Sequence, residues 1–364
     1  MVIIGGGIAG LACAIACRRR GIAARVVERR AVDGRIGFGF LLLPNGCAAL
    51  DALGLGAAMR SHGQVMRRLT VYRPDGEGEP RLDIALPVDH YGLDRRFLME
   101  LLAREATRLG ARIAHGATVR HLERRADGGI AAAVCHGGER VTGEVFVGAD
   151  GVASVVRRAL FPGVERRPLH VWELVSTAID AELARVLHGR LVKYHDPARG
   201  LALGVMPLSP VEVIFYLQMD HARWVLPPPD GDGRRRYAEQ AFAGFAPIAR
   251  RVIAAGRFAS SHFYATGDLD PLPAIHRGNA VLVGDAAHPF SPFTSQGVAS
   301  ALEDAVALVE RLDDLGDPAA AFAAFHAARA DTWHRRLLAG RALSRSFRRE
   351  PDDHDDTLAP PLVQ

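Results

Sequence analysis

Apolar residues in this chain gather into short unbroken runs bounded by glycine. Val2 to Ile4, Ala24 to Val27, Val145 to Val147 and the start of 280-AVLVGDAAH-288 are such runs. Apolar on both faces and only a few residues long, they predict strands buried in a parallel sheet. Helical spacing fills the gaps. Ile8 to Arg20 predicts a helix that Gly21 stops, and Pro44-Asn45 opens another that ends near Leu53. Leu98, Leu101, Leu102 and Leu109 mark one face of a helix that starts at Arg95 or Arg96 and ends at Gly110. Gly116 to Leu122 and Ile130 to Cys135, joined through Asp127-Gly128-Gly129, predict a hairpin.

The texture changes between residue 168 and about residue 275. Val171 to Thr177, Arg190 to Tyr194, Ala202 to Met206 and Glu212 to Met219 predict short strands, punctuated by Pro207, Pro210 and Pro227-Pro228-Pro229. An antiparallel sheet with one covering face follows, with a helix over Arg234 to Ala246. Because the buried parallel pattern resumes at 280, the first domain is discontinuous. The expected organisation is α/β: residues 1–75, 93–167 and 276–318 form one domain, and 76–92 and 168–275 a second. A helical segment at 319–350 and a mobile tail at 351–364 complete the chain. The basic stretch 333-WHRRLLAGRALSRSFRRE-350 is either a solvated helix face or a surface for a partner or membrane, the former being the plainer.

Composition narrows the class. The chain has 364 residues, 49% of them hydrophobic, enough for two packed domains. Of 45 basic residues only Lys193 is lysine, and the arginines are scattered in pairs and triples, which argues against a nucleic-acid groove. Cys13, Cys17, Cys47 and Cys135 form no CxxC pair and lie near no histidine cluster, so they are expected as reduced, packed thiols with no metal. No run reaches the roughly 20 apolar residues of a membrane span. The N-terminus lacks a basic leader, so a cytoplasmic location is expected.

Three stretches carry candidate chemistry. In 2-VIIGGGIAGLACAIACRRRGIAARVVE-28, Gly5, Gly7 and Gly10 fit GxGxxG between a strand and a helix. Gly5 allows the turn, Gly7 lets the backbone approach a pyrophosphate, and Gly10 allows close helix–strand packing. Glu28 ends the next strand, where a carboxylate takes ribose hydroxyls and repels a 2′-phosphate, so FAD or NAD is expected, not NADP. Arg35 is placed to clamp a pyrophosphate, unless it is a solvated surface arginine. An arginine at a helix N-terminus opposes the dipole, so Arg95 or Arg96 is explained either by a bound phosphate or ribose or by chance in an arginine-rich chain. The other two stretches are 148-GADGVASVVRRAL-160, a further strand–turn–helix, and 284-GDAAHPFSPFTSQGVASALEDA-305.

Taken together, GGGIAG with Glu28, GADGVASVVR and GDAAHPFSPFTSQG, in that order, resemble the single-component FAD-dependent aromatic hydroxylases of the para-hydroxybenzoate hydroxylase type; LLLPNGCAALDALGL is similar to the family stretch beside the isoalloxazine. The resemblance covers Met1 to about Leu338. It implies a Rossmann-like FAD-binding fold with an inserted antiparallel substrate domain and C-terminal helices. Cofactor contacts are implied at Gly5, Gly7, Ile8, Ala9, Gly10, Glu28, Arg29, Arg35, Arg95, Val119, Asp150, Asp285, Pro292, Gln296, Gly297 and Val298. Among these, Asp285 would accept from the FAD ribitol, Val119 would meet the adenine through its backbone, and Asp150 would lie near the pyrophosphate and assist the nicotinamide. Pro292 would line the reactive flavin face, and a helix N-terminus at Gln296-Gly297 would face flavin N1 and O2. His288 is open between packing the turn and a chemical role. The sequence departs from the family at Thr294 and Ser295, where two glycines are usual, and at Ala299, where asparagine is frequent.

The chemistry implied by the resemblance uses NADPH or NADH as a transient reductant. Reduced FAD captures dioxygen as a C4a-hydroperoxide and transfers one oxygen to an aromatic or polyketide-like molecule. No second dinucleotide fingerprint appears. A catalytic base is not identifiable: Tyr216, His262, Tyr264 and His195 are pocket candidates, but core or surface packing is the plainer reading of each. A flavin oxidase, reductase or epoxidase and a non-catalytic flavoprotein binding a partner through its basic helix stand as rivals. A halogenase is disfavoured because 171-VWELVSTA-178 holds a single tryptophan. A monomer or homodimer is expected.

Overall fold

The computed structural model describes residues 1–31 and 37–348. Arg35 and the 351–364 tail lie outside the described residues. A six-stranded sheet runs in the order His276–Arg277, Ala280–Leu282, Phe146–Gly148, Val2–Ile4, Arg25–Val27, Arg112–Ala114, parallel except at the first pair. The first helix, Ile8–Arg19, packs on this sheet and on the helix Gly297–Leu315. Gly21 follows it with φ +75°, the left-handed conformation that stops a helix without a Cβ penalty. All four cysteines are free and buried, packed as small hydrophobes.

The parallel register fixes where the three motifs emerge. Ile4 is aligned with Val27 and Gly148, and Gly148 with Leu282. The glycine turn, Glu28, the Asp150 turn and the Asp285 turn therefore leave the sheet side by side at its carboxyl edge, where open α/β sheets bind ligands.

An eight-stranded sheet forms the second layer, in the order His262–Asp268, Arg167–Ile179, Glu212–Asp220, Leu201–Pro207, Arg190–Asp196, Gln64–Tyr72, Leu82–Asp94, Gly39–Leu42. One face packs Leu174, Phe215, Leu217 and Val205 against the helices Gly231–Ala241 and Pro247–Ala254. A helix over 234–246 was expected; the observed one starts earlier and stops sooner, Gly231–Ala241, and after a turn a separate helix opens at Pro247, where proline suits the first helical position. The sequence-based boundary at residue 75 also needs correction. Gly39–Leu42 and Gln64–Tyr72 hydrogen-bond into this second sheet, the latter parallel to Arg190–Asp196. The parallel pairing is made with residues more than a hundred positions away, which local patterning does not carry.

The described residues end in one helix, Pro318–Arg348. The basic stretch has a solvated face, with His334, Arg335, Leu338 and Arg345 exposed, but its other face is packed. Trp333, Leu337, Gly340, Ser344 and Phe347 are buried. Its arginines are used internally: Arg341 makes two bonds to Asp268 (both 2.8 Å) and one to Asp270, and Arg336 donates to Glu303 (2.6 Å) and Ser300. No helix among the described residues is long and apolar enough to cross a membrane.

Candidate active site

The glycine turn is built as its chemistry requires. Gly5 has φ +105°, and a Cβ there would overlap the Ala149 carbonyl oxygen. A Cβ on Gly10 would overlap the Gly5 carbonyl oxygen, so helix and strand meet backbone to backbone. A Cβ on Gly7 would meet nothing within 4 Å. Gly5 and Gly10 thus serve the fold, whereas Gly7 borders open space at the start of the helix, where free N–H groups face outward. Ile8 and Ala9 are buried beneath it, and Ala9 packs against Gly284 of the third motif. Glu28 is 7% exposed and accepts from the backbone N–H groups of Gly6 (2.5 Å) and Arg30 (2.7 Å). Those bonds fix the carboxylate at the strand end, beside the turn. Arg29 is exposed.

Val119 begins the small sheet Val119–Arg124, Ile130–Cys135, Arg140–Thr142. The turn before it is tied to the acidic strand end by Ala117 N–H to Glu28 O (2.9 Å) and Gly116 N–H to Arg30 O (3.1 Å). Val119 is thereby held on the Glu28 side of the edge, where the adenosine end of a dinucleotide would lie.

Asp150 works locally. Its carboxylate accepts from Ser154 Oγ (2.5 Å) and from the N–H groups of Val155 (2.6 Å) and Val156 (3.2 Å), capping the helix Val155–Leu160. Its backbone lies directly under Gly5. From the same helix, Arg157, 4% exposed, reaches the carbonyl oxygens of Asp285 (3.2 Å) and Ala286 (2.8 Å). The second motif therefore holds the third in place.

Asp285 and Arg95 differ from these satisfied groups. Among the described residues, neither side chain has a hydrogen bond or an ion pair in contact. Burial pushes the Asp285 carboxyl above its ordinary value, against the pull of His288, Arg95, Arg166 and Arg157. Burial pulls Arg95 below its ordinary value, against Asp285. Both are half-buried, so each faces a cleft with its polar end unspent. A carboxylate acceptor beside Gly297 and a guanidinium donor beside Gly37, at the edge that also presents the open backbone of Gly7, fit a ligand with hydroxyls and a pyrophosphate. Replacing Asp285 by alanine is expected to leave folding intact and raise the dissociation constant for FAD roughly tenfold to a hundredfold, from about 1.5–3 kcal/mol for a hydrogen bond to a charged acceptor. Flavin content after purification and titration with FAD measure this; unchanged affinity would remove Asp285 from the site.

The loop after Asp285 aims a helix at the same cleft. Pro292–Thr294 is a single 3₁₀ turn with Pro292 exposed on it, and Gly297–Leu315 follows. Gln296, the residue at its N-terminus, makes no side-chain cap; its oxygen instead accepts from Asn45 Nδ2 (3.1 Å). The first helical N–H groups are left to a ligand. Val298 packs partly into the core. The three departures from the family pattern are accommodated as follows. Thr294 is fully buried, with its hydroxyl on Ser291 O (3.1 Å) and its methyl facing Gly340 of the last helix. Ala299 packs against Gly46. Ser295 takes φ +53°, ψ +17°, the left-handed conformation that glycine adopts freely. Left-handed geometry costs a non-glycine residue about 1–2 kcal/mol, and glycine returns roughly half to one in chain entropy. Ser295→Gly is therefore expected to stabilise by about 0.5 kcal/mol, a rise of roughly 1 °C in melting midpoint.

Sequence reasoning missed the group that anchors this loop. Asp304 is fully buried and accepts from His288 Nε2 (2.6 Å), Gly284 N–H (3.0 Å), Trp333 Nε1 (3.1 Å) and Arg329 Nε (3.2 Å). His288 also stacks between Phe290 and Trp333. These contacts make it an anchor of the turn, while its Nδ1 is buried without a hydrogen-bond partner among the described residues. The i, i+1 acidic pair Glu303-Asp304 on an apolar helix face was the available signal. Of the pocket candidates, Tyr216 and Tyr264 lie on the sheet face turned to this loop, beside a residue not singled out, Glu173. His195 stacks on Phe347 at 5.4 Å.

A parallel sheet presenting glycine turn, acidic strand end, unpartnered carboxylate and helix N-terminus at one edge, with a second, largely antiparallel sheet against its flavin loop, defines a flavoprotein fold. The FAD binding domain family matches residues 1–320. An FAD-dependent monooxygenase, pynG, of Aspergillus niger is 30% identical over 86% of this chain and 78% of its own length. The 3-hydroxybenzoate 6-hydroxylase of Klebsiella oxytoca is 28% identical over 95% of this chain and 88% of its own. The crystal structure of Klebsiella pneumoniae HpxO complexed with FAD and uric acid matches with a TM-score of 0.85 at 26% identity, across 98% of this chain and 90% of that one. The chain belongs to the single-component FAD-dependent monooxygenases of the para-hydroxybenzoate hydroxylase type.

Proposed function

We propose that the protein is an NAD(P)H-consuming monooxygenase that hydroxylates an aromatic or polyketide-like small molecule, working in the cytoplasm as a monomer or homodimer. Bound FAD supplies the redox chemistry, passing electrons from a nicotinamide to dioxygen and one oxygen atom to the substrate. The observation that carries this reading is the meeting of the two sheets: Lys193 of the eight-stranded sheet lies 5.3 Å from the ring of Phe293, next to Pro292 on the flavin loop. A substrate resting on that sheet face would lie against the exposed Pro292.

The residues have separable tasks. Gly7 admits the pyrophosphate, Glu28 takes ribose hydroxyls, and Asp285 and Arg95 bind the ribitol and phosphate portion. The N-terminus of Gly297–Leu315 carries about half a positive charge and would favour an anionic pyrimidine edge. Phe293 and the last helix exclude water. With no second dinucleotide turn in the chain, the nicotinamide is taken to visit the same cleft briefly. Its choice between NADH and NADPH is read from initial rates with each. A panel of aromatic acids, phenols and polyketide-like compounds, scored for nicotinamide consumption and for incorporation of labelled dioxygen, tests the function. Labelled product supports it, peroxide alone indicates an oxidase, and a flavin that neither nicotinamide bleaches overturns it.

A further inference from the structure

Lys193 is the single lysine among 45 basic residues. Along Arg190–Asp196, Val192 and Tyr194 enter the core beneath the helices, so Lys193 points to the opposite face, toward the flavin loop. It is paired with Gly204, which is paired with Tyr216. A Cβ on Gly204 would overlap the Tyr216 ring, so that ring lies flat over the glycine toward the lysine strand. The ammonium sits over the rings of Phe293 (5.3 Å) and Phe347 (5.9 Å) and has no hydrogen bond or ion pair among the described residues.

On the same face, two strands beyond Gly204, Glu173 is 8% exposed and accepts from Gln218 Nε2 (2.9 Å). Gln218 is 3% exposed, and its Oε1 has no partner. This sheet face thus carries an unpaired ammonium on one strand and, two and three strands away, a free amide oxygen and a carboxylate, with the Tyr216 ring on the strands between. Burial pulls Lys193 down to about 8 while Glu173 holds it up, and burial pushes Glu173 upward against Gln218 and Lys193. Two desolvated opposite charges held apart are each stabilised by a ligand that bridges them.

We propose that Lys193 binds an anionic group of the substrate, carboxylate or phenolate, and that Glu173 with Gln218 receives a hydrogen-bond-donating substituent, so that the pocket selects a small planar aromatic carrying both. This rests on the monooxygenase reading for the place of the pocket, but not for its test. Binding to the FAD-loaded enzyme is read from perturbation of the flavin spectrum with no reductant present. Probes are aminobenzoate and hydroxybenzoate (anion and donor), their methyl esters (donor only), methoxybenzoate (anion only) and a nitrophenol (phenolate without carboxylate).

The acids carrying both groups should bind most tightly. Lys193→Met should weaken the acids about 10- to 100-fold and spare the esters, Lys193→Arg should retain part of the acid binding, and Glu173→Gln should weaken only donor-bearing probes. FAD content and melting temperature report whether each variant is assembled; if Lys193→Met is not, Lys193→Arg and Glu173→Gln carry the test. Equal loss of acids and esters, tighter binding of esters by the unmodified enzyme, or no binding of any anionic probe overturns the assignment. Bound acids that are never oxygenated would instead overturn the monooxygenase reading and leave this one standing.

Discussion

Replacing Asp304 by alanine is expected to destabilise the protein by roughly 3–5 kcal/mol, the range for removing one partner of a buried charge network. One carboxylate holds His288, Gly284, Trp333 and Arg329, which belong to the turn and to the last helix. Its loss orphans the Gly284 N–H and the indole N–H in the core and leaves Arg329 with Glu303 alone (2.9 Å). Against a total stability of about 5–15 kcal/mol, this is a large share. Urea unfolding with FAD removed measures it, and limited proteolysis should release the last helix first; a midpoint within the range of ordinary surface variants would show that the network is dispensable. The pH dependence follows. Burial alone would raise the Asp304 carboxyl, but His288, Arg329 and the Gly284 N–H outweigh it and hold it below its ordinary value. A depressed folded value means the contribution is complete above about pH 3.9, the unfolded carboxylate value. It is lost as pH falls from there through the folded value. Acid unfolding of the unmodified protein should therefore be steeper below that point than that of the variant.

Much of the six-stranded sheet was legible because its information is local. A glycine turn, a buried run and a terminal glutamate each act within a few residues, and the parallel register then forces the three turns to one edge. The eight-stranded sheet was only partly legible. Its strand at 64–72 takes its place from a partner more than a hundred residues on, the strand at 39–42 pairs with Tyr91–Asp94 across two intervening helices and a strand, and the 82–94 strand carries a mixed pattern because its two ends sit in different environments. The last helix was legible on one face only, that of the exposed Arg335 and Arg345. Its arginines look solvated in a linear reading, but Arg329, Arg336 and Arg341 find Asp304, Glu303 and Asp268 in the fold.

The same helix explains part of the loop's departure from its family. A glycine at 294 would leave a gap beside Gly340, and the Thr294 methyl fills it while its hydroxyl closes the 3₁₀ turn on Ser291. Gly340 in turn has no room for a Cβ, which would lie 2.9 Å from Ser291 Cβ. Loop and helix are thus fitted to one another, and the strain left at Ser295 is small beside the packing gained. Nothing in the structure explains why serine stands at 295 when glycine would fit.

Gly10→Ala and Gly7→Ala are expected to separate the two uses of the glycine motif. At Gly10 the added methyl would collide with the Gly5 carbonyl oxygen and come within 3.2 Å of Ile3 Cγ2. Gly5 cannot retreat, because its left-handed backbone is already wedged against Ala149 and Asp150. The first helix must therefore lift from the strand, parting Ala9 from Gly284 and turning the helix N-terminus away from Glu28. Overpacking costs about 1–3 kcal/mol where side chains can yield. Here the obstacle is backbone, so the upper end of that range is expected even without cofactor, together with loss of bound FAD. At Gly7 a methyl meets no protein atom. Stability without cofactor should stay within about 0.5 kcal/mol of the unmodified protein, while FAD affinity falls because the methyl occupies the path of the pyrophosphate. Urea midpoints with and without FAD resolve the two. If both variants lose cofactor-free stability equally, the open space at Gly7 is not a ligand path; if Gly10→Ala keeps its FAD, the close approach of helix and strand is not what shapes the site.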